Sequence, residues 1–100
     1  MDINVTELKQ KLDNKEEFIF IDVREQHEYD DFNLNAKLIP LGTIPAAIEE
    51  YGDNKEDEIV VHCRSGARSG QAKMFLEQYG FKNVRNLEGG VLAWIDKYGR

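Results

Sequence analysis

Along the chain, strand-like and helix-like spacings of apolar residues take turns in short segments. Val5, Leu8 and Leu12 recur at helical spacing, so Val5 to Leu12 predicts an amphipathic helix. Asn4, followed three residues later by Glu7, reads as an N-capping pair for it. Phe18 to Val23 is short, β-rich and nearly continuous in apolar residues, which predicts a strand covered on both faces. Glu25 to Phe32 is polar and helix-compatible. Leu38-Ile39 predicts a short strand that stops near Pro40, because proline has no amide hydrogen to give to a ladder. Thr43 to Tyr51 predicts a further helix, with Pro45 in its first turn, where the missing donor is harmless, and Gly52 at its end.

A charged turn over residues 52–58 leads into Ile59-Val60-Val61-His62, a second strong strand that delivers the chain to Cys63. Ala72, Phe75, Leu76 and Tyr79 mark one face of the helix that follows, with Gly80 as its left-handed end. Asn83 to Leu87 predicts a last short strand. Gly89-Gly90 then turns the chain into a C-terminal helix whose stripe is Val91, Trp94 and Ile95. This alternation predicts an α/β fold: a small parallel β-sheet flanked by helices on both faces. Ligands of such sheets gather beyond the carboxyl ends of the strands, where Cys63 falls.

Length and charge narrow the picture. One hundred residues suit a single domain over residues 1–100. Charged residues make up 32%, above the roughly 25% usual in soluble domains, in keeping with a small body that has much surface. The net charge of -6 gives the wrong sign of long-range attraction for a nucleic-acid backbone or an acidic membrane surface. Met1 to Glu17 mixes acids and bases without an apolar leader core, and the longest apolar run is Phe18-Ile19-Phe20-Ile21. The expectation is a cytoplasmic protein without a membrane partner, and a monomer.

The single cysteine excludes an intramolecular disulfide and a Cys-x-x-Cys pair, so any covalent species on Cys63 must be resolved from outside the chain. Its surroundings carry the chemistry. In Cys63-Arg64-Ser65-Gly66-Ala67-Arg68-Ser69-Gly70, a buried strand passes into a helix N-terminus, whose unpaired amides drive a thiol toward thiolate and hold an anion. Gly66 lets the backbone curl so that successive amides converge above the sulfur. Arg64 and Arg68 add two guanidinium groups able to orient an oxyanion such as thiosulfate for attack on its outer sulfur. The resulting persulfide is itself an anion that the same amides stabilise, so no dedicated base is needed.

These segments resemble the rhodanese family, from Asp22 to Trp94. Asp22-Val23-Arg24-Glu25 with Glu28 is similar to the family's first signature, and Leu38-Ile39-Pro40-Leu41 to its second. The loop from Cys63 to Ser69 is close to the family's active loop, and Leu87-Glu88-Gly89-Gly90 with Trp94 to its closing signature. The resemblance implies that Cys63 bears a persulfide and is the catalytic residue. It implies that Arg64, Ser65, Gly66, Ala67 and Arg68 bind the sulfur donor, and that Asp22 and Arg24 are structural. Thiosulfate or a persulfide would be the donor, and a thiol or cyanide the acceptor at an open site, with no cofactor and no metal. The connection Asn33-Leu34-Asn35-Ala36 departs from the pattern in lacking the glycines that many relatives carry there.

Blander roles compete for several residues. Arg68 can stitch the loop to the fold by satisfying carbonyls. His62 neighbours Cys63, but adjacent strand residues face opposite sides, which speaks against a catalytic base. His27 reads as a solvated side chain, and two histidines with one cysteine make a poor zinc set. Phe75 and Trp94 read as core, and Asp22, Glu25 and Glu28 as surface or structural ion pairs. Two other functions stay open: a sulfur carrier that receives persulfide from a protein such as a cysteine desulfurase and docks in a sulfur relay, and a cysteine-dependent phosphatase or arsenate reductase. The short spacing from Cys63 to Arg68 speaks against the latter, which resembles this arrangement with one residue more.

Overall fold

The computed structural model describes residues 1–100. Its centre is a four-stranded, wholly parallel sheet in the order β2-β1-β3-β4. The strands are β1 (Ile19–Asp22), β2 (Lys37–Leu38), β3 (Ile59–His62) and β4 (Val84–Asn86). β1 and β3 pair in register from Ile19 opposite Ile59 to Asp22 opposite His62, which sets those last two polar residues side by side at the carboxyl end. The predicted α/β architecture is the one found.

Two apolar clusters explain why the sheet is covered on both faces. Ile59, Val61 and Cys63 lie in one cluster with Ile44, Ile48, Ala72 and Leu76, while Val60 of the same strand lies in the other with Ile3, Val5, Leu8 and Val91. The period-two alternation of β3 thus feeds both cores, and all four of its residues are buried. On one face stand α1 (Val5–Asp13) and α5 (Gly90–Tyr98); on the other stand α3 (Ile44–Ala47) and α4 (Ala67–Gln78). The remaining helix, α2 (Gln26–Asp31), follows β1. No helix is long and apolar enough to cross a membrane.

Local chemistry sets the ends of these elements. Asn4 Oδ1 accepts the Glu7 amide at 2.8 Å, the cap expected for α1. Glu25 and Glu28 close a capping box at the start of α2. In the connection that lacks glycine, Asn35 adopts φ 65° and its amide donates to Asn33 Oδ1 at 2.9 Å; asparagine supplies the left-handed turn there.

Two expectations need adjustment. Thr43 to Tyr51 is not one helix: a 3₁₀ turn (Leu41–Thr43), the single turn of α3 and a second 3₁₀ stretch (Ile48–Asn54) succeed one another, and Gly52 lies inside the last. Only Ile44 and Ile48 are buried there, so little packing holds the segment to regular α geometry. Tyr79 leaves the predicted face of α4: it is the C-cap residue, 54% exposed, with its ring 4.6 Å from that of Phe75.

Candidate active site

β3 ends at His62, and α4 begins at Ala67, so four residues span the turn that carries Cys63. Gly66 makes this possible by adopting φ 108°, a conformation that side chains resist. The curl aims the Gly66 amide at Cys63 Sγ, 3.1 Å away, and Ser69, in the first turn of α4, brings its hydroxyl to 3.4 Å. Burial pushes the Cys63 thiol up, but the Ser69 hydroxyl and the amides of Ser69, Gly66 and Ser65 outweigh it, so the group ionises below its ordinary value. Apolar β3 supplies the floor, while the loop and helix end supply the polar roof.

The sulfur is more enclosed than an open site implies. Cys63 is 1% exposed, and the cavity nearest its loop, about 170 Å³ in volume, is lined by Arg24, Glu28, Arg64 and Leu92 among others but not by Cys63. Larger cavities lie elsewhere, one of them beside Phe18 and Glu58 at the opposite, amino-terminal end of β1 and β3.

The two loop arginines differ in kind. Arg68 is forked onto Glu28, with Nη1 to Oε1 at 2.7 Å and Nη2 to Oε2 at 2.9 Å, so part of its function is to tie α4 to α2. Arg68 in turn holds the Glu28 carboxyl down at about 2, against the opposing effect of burial. Arg24, Arg85 and Arg100 also hold carboxylates; Arg64 is exposed and is the one arginine outside such a pair. Ser65 and Ala67 are exposed on the same loop.

Beneath the loop, Asp22 and Arg24 form a buried pair: Arg24 Nη2 donates to Asp22 Oδ2 at 2.9 Å and to the Phe32 carbonyl at 2.7 Å. This pair fastens the end of β1 to the end of α2. His62 turns to the other face, its ring 5.3 Å from that of Phe20. Its Nε2 lies 3.5 Å from Asp22 Oδ2 without a hydrogen bond, and burial, only partly opposed by Asp22, lowers its pKa to about 4. It is a packed, neutral histidine.

Two residues outside the predicted set complete the site. Ser69 Oγ donates to Asn86 Oδ1 at 2.5 Å, and Asn86 Nδ2 donates to the Gly66 carbonyl at 3.0 Å. Ser69 was legible within the loop motif. Asn86 carried a fainter signal, a carboxamide near the carboxyl end of a strand where an apolar side chain is the norm.

Comparison with known proteins fits this geometry. Residues 4–97 match the rhodanese-like domain family. A sulfurtransferase of Allochromatium vinosum is 36% identical over 94 residues, covering 93% of this chain and 86% of its own. YtwF of Bacillus subtilis, named as a proposed sulfurtransferase, is 40% identical over 94 residues, with 93% and 88% covered. The crystal structure of a rhodanese-like domain protein from Staphylococcus aureus matches with a TM-score of 0.83 at 36% identity, covering 94% of this chain and 91% of that one. The chain belongs to the rhodanese-like domain family.

Proposed function

We propose that this protein is a sulfurtransferase that moves a sulfane sulfur through a persulfide on Cys63. The observation that carries the reading is the Gly66 amide 3.1 Å from Cys63 Sγ, at the head of α4, with the Ser69 hydroxyl at 3.4 Å. Donors so placed favour an anionic sulfur before and after the reaction. With thiosulfate as donor, the thiolate attacks the outer sulfur; a new S–S bond forms to Sγ, the old one breaks, and sulfite leaves with its electron pair. A thiol or cyanide then attacks the outer sulfur, and Cys63 departs as thiolate, restoring the starting state. Arg64, free of carboxylates, recruits the anionic donor, and Ser65, Gly66, Ala67 and Arg68 frame it. The names of the two relatives above support the reaction class.

The same reading makes the protein a cytoplasmic monomer whose partners are the small sulfur donor and acceptor, with neither nucleic acid nor membrane involved and no cofactor. Thiocyanate formation from thiosulfate and cyanide tests it: turnover is expected with the wild type and none with Cys63→Ser. Intact mass should rise by one sulfur after donor treatment and fall back with a reducing thiol. Equal rates in the two proteins would end the proposal. Weak turnover beside rapid loading from a protein persulfide would turn it toward a sulfur carrier.

A further inference from the structure

Ser69 has one hydroxyl hydrogen and two acceptors within reach. Its Oγ lies 2.5 Å from Asn86 Oδ1 and 3.4 Å from Cys63 Sγ. The Asn86 amide is not free to turn, because its Nδ2 donates to the Gly66 carbonyl at 3.0 Å. Only the NH₂ end can do that, so Oδ1 must face Ser69. The backbone of Asn86 is fixed as well: its amide donates to Asp2 Oδ1 at 3.0 Å, and its carbonyl accepts from the Ile3 amide at 3.0 Å. One carboxamide on β4 therefore touches two of the residues that donate to the sulfur, Gly66 and Ser69.

We infer that Asn86 is a positioning residue for Cys63: its carboxamide anchors Gly66 and competes with the sulfur for the single hydrogen of Ser69, so the state of the sulfur decides where that hydrogen lies. With the thiol, S–H donates to Ser69 Oγ and Ser69 donates to Asn86. When the thiol loses its proton, the charged sulfur becomes the stronger acceptor and the hydroxyl rotates toward it. Asn86 Oδ1 and Ser69 Oγ then face each other across a short gap without a shared hydrogen, which raises the cost of the anion. The next step rests on the sulfur-transfer reading. In the persulfide the charge sits on the outer sulfur and the hydrogen returns to Asn86; when the S–S bond breaks and Sγ leaves with the electron pair, the hydroxyl swings back to stabilise it. The hydroxyl only rotates, and no proton changes owner within the Ser69–Asn86 pair.

The charged groups around this device are common to all the variants below. Arg68, paired with Glu28, bears on the sulfur; Arg64 stands in the loop; the Asp22–Arg24 pair lies at the end of β1; Asp2 backs Asn86; and His62 is neutral.

Thiolate absorbance in the ultraviolet, titrated on the whole chain against a Cys63→Ser blank, reads one group because Cys63 is the only cysteine. Asn86→Ala removes the competitor but also loosens Gly66; in a Ser69→Ala background only the loosening remains. The shift caused by Asn86→Ala should therefore be more acidic with Ser69 present than without it, by about one pH unit or tenfold in the ionisation constant. Equal shifts in the two backgrounds would overturn the inference. Near-isosteric Asn86→Asp guards against loss of fold, which thermal melting monitors. It keeps the acceptor and adds charge but, like Asn86→Ala, gives up the donor to the Gly66 carbonyl. It should raise the midpoint, and because that loss and the charge act in both backgrounds, the rise should shrink in Ser69→Ala only by the part that passes through the hydroxyl; an undiminished rise also overturns the inference. The titration needs no sulfur donor, so absent thiocyanate turnover with intact coupling would defeat the functional proposal alone.

Discussion

At the scale of single residues, the two arginines of the loop should separate experimentally. Arg64 is exposed and unpaired, so Arg64→Ala should act on donor capture. An exposed charge contact is worth up to about 1 kcal/mol, which predicts a rise of up to roughly fivefold in KM for thiosulfate with little change in kcat. Arg68 is committed to Glu28, and its charge also bears on Cys63. Arg68→Ala should therefore act on ionisation: the thiol loses its proton at higher pH, and the rising, acid-side limb of the pH–rate profile shifts upward. A pure KM effect in both variants would contradict this division. The sequence displayed both arginines and the cysteine, because a strand running into a glycine-bearing helix start is a local pattern. It could not display the partner of Arg68, forty residues away in the chain, nor the grip of Asn86 on the loop, since both depend on how separate elements meet.

Among the elements, the loop is held from two sides. The amides of Val91 and Leu92, in the unpaired first turn of α5, donate to the carbonyls of Cys63 and Arg64, each at 3.0 Å. The chain can enter α5 there only because Gly90 has no side chain: a Cβ would stand 2.6 Å from the Cys63 and Arg64 carbonyl oxygens, and φ is 57°. Gly90→Ala should displace the loop and destabilise the fold by about 2 kcal/mol or more, read as a lower urea midpoint with a parallel fall in turnover. Gly42→Ala, where a Cβ would meet nothing within 4 Å, is the matched control and should leave both nearly unchanged. The Gly89-Gly90 pair was legible as a turn, and the strands and α1, α4 and α5 as elements, because strong periodicity and caps mark them. The stretch from Thr43 to Asn54 was not, since its two buried isoleucines, four residues apart, satisfy a helix and a looser series of turns alike.

For the molecule as a whole, the cost of acid falls on the centre of the sheet. His62 lies in β3 between the two cores, fully buried and without a hydrogen bond at Nε2. Its folded pKa of about 4 lies below the ordinary 6.5 because burial disfavours the cation more than Asp22 supports it. The unfolded chain therefore binds a proton first as pH falls, and stability declines from about pH 6.5 toward pH 4, below which the loss levels off. Between pH 7 and pH 5 this single group should remove about 2 kcal/mol of stability. Glu28 adds a later stage of the same sign: Arg68 holds its carboxyl at about 2 against an ordinary 4.5, so its contribution is present above pH 4.5 and drains away toward pH 2. Urea unfolding of the wild type and of His62→Gln at the two upper pH values separates the stages. The variant should lose distinctly less stability than the wild type between pH 7 and pH 5, and the two should decline alike at lower pH. An equal loss in both proteins over the upper interval would show that the acid response arises outside β3.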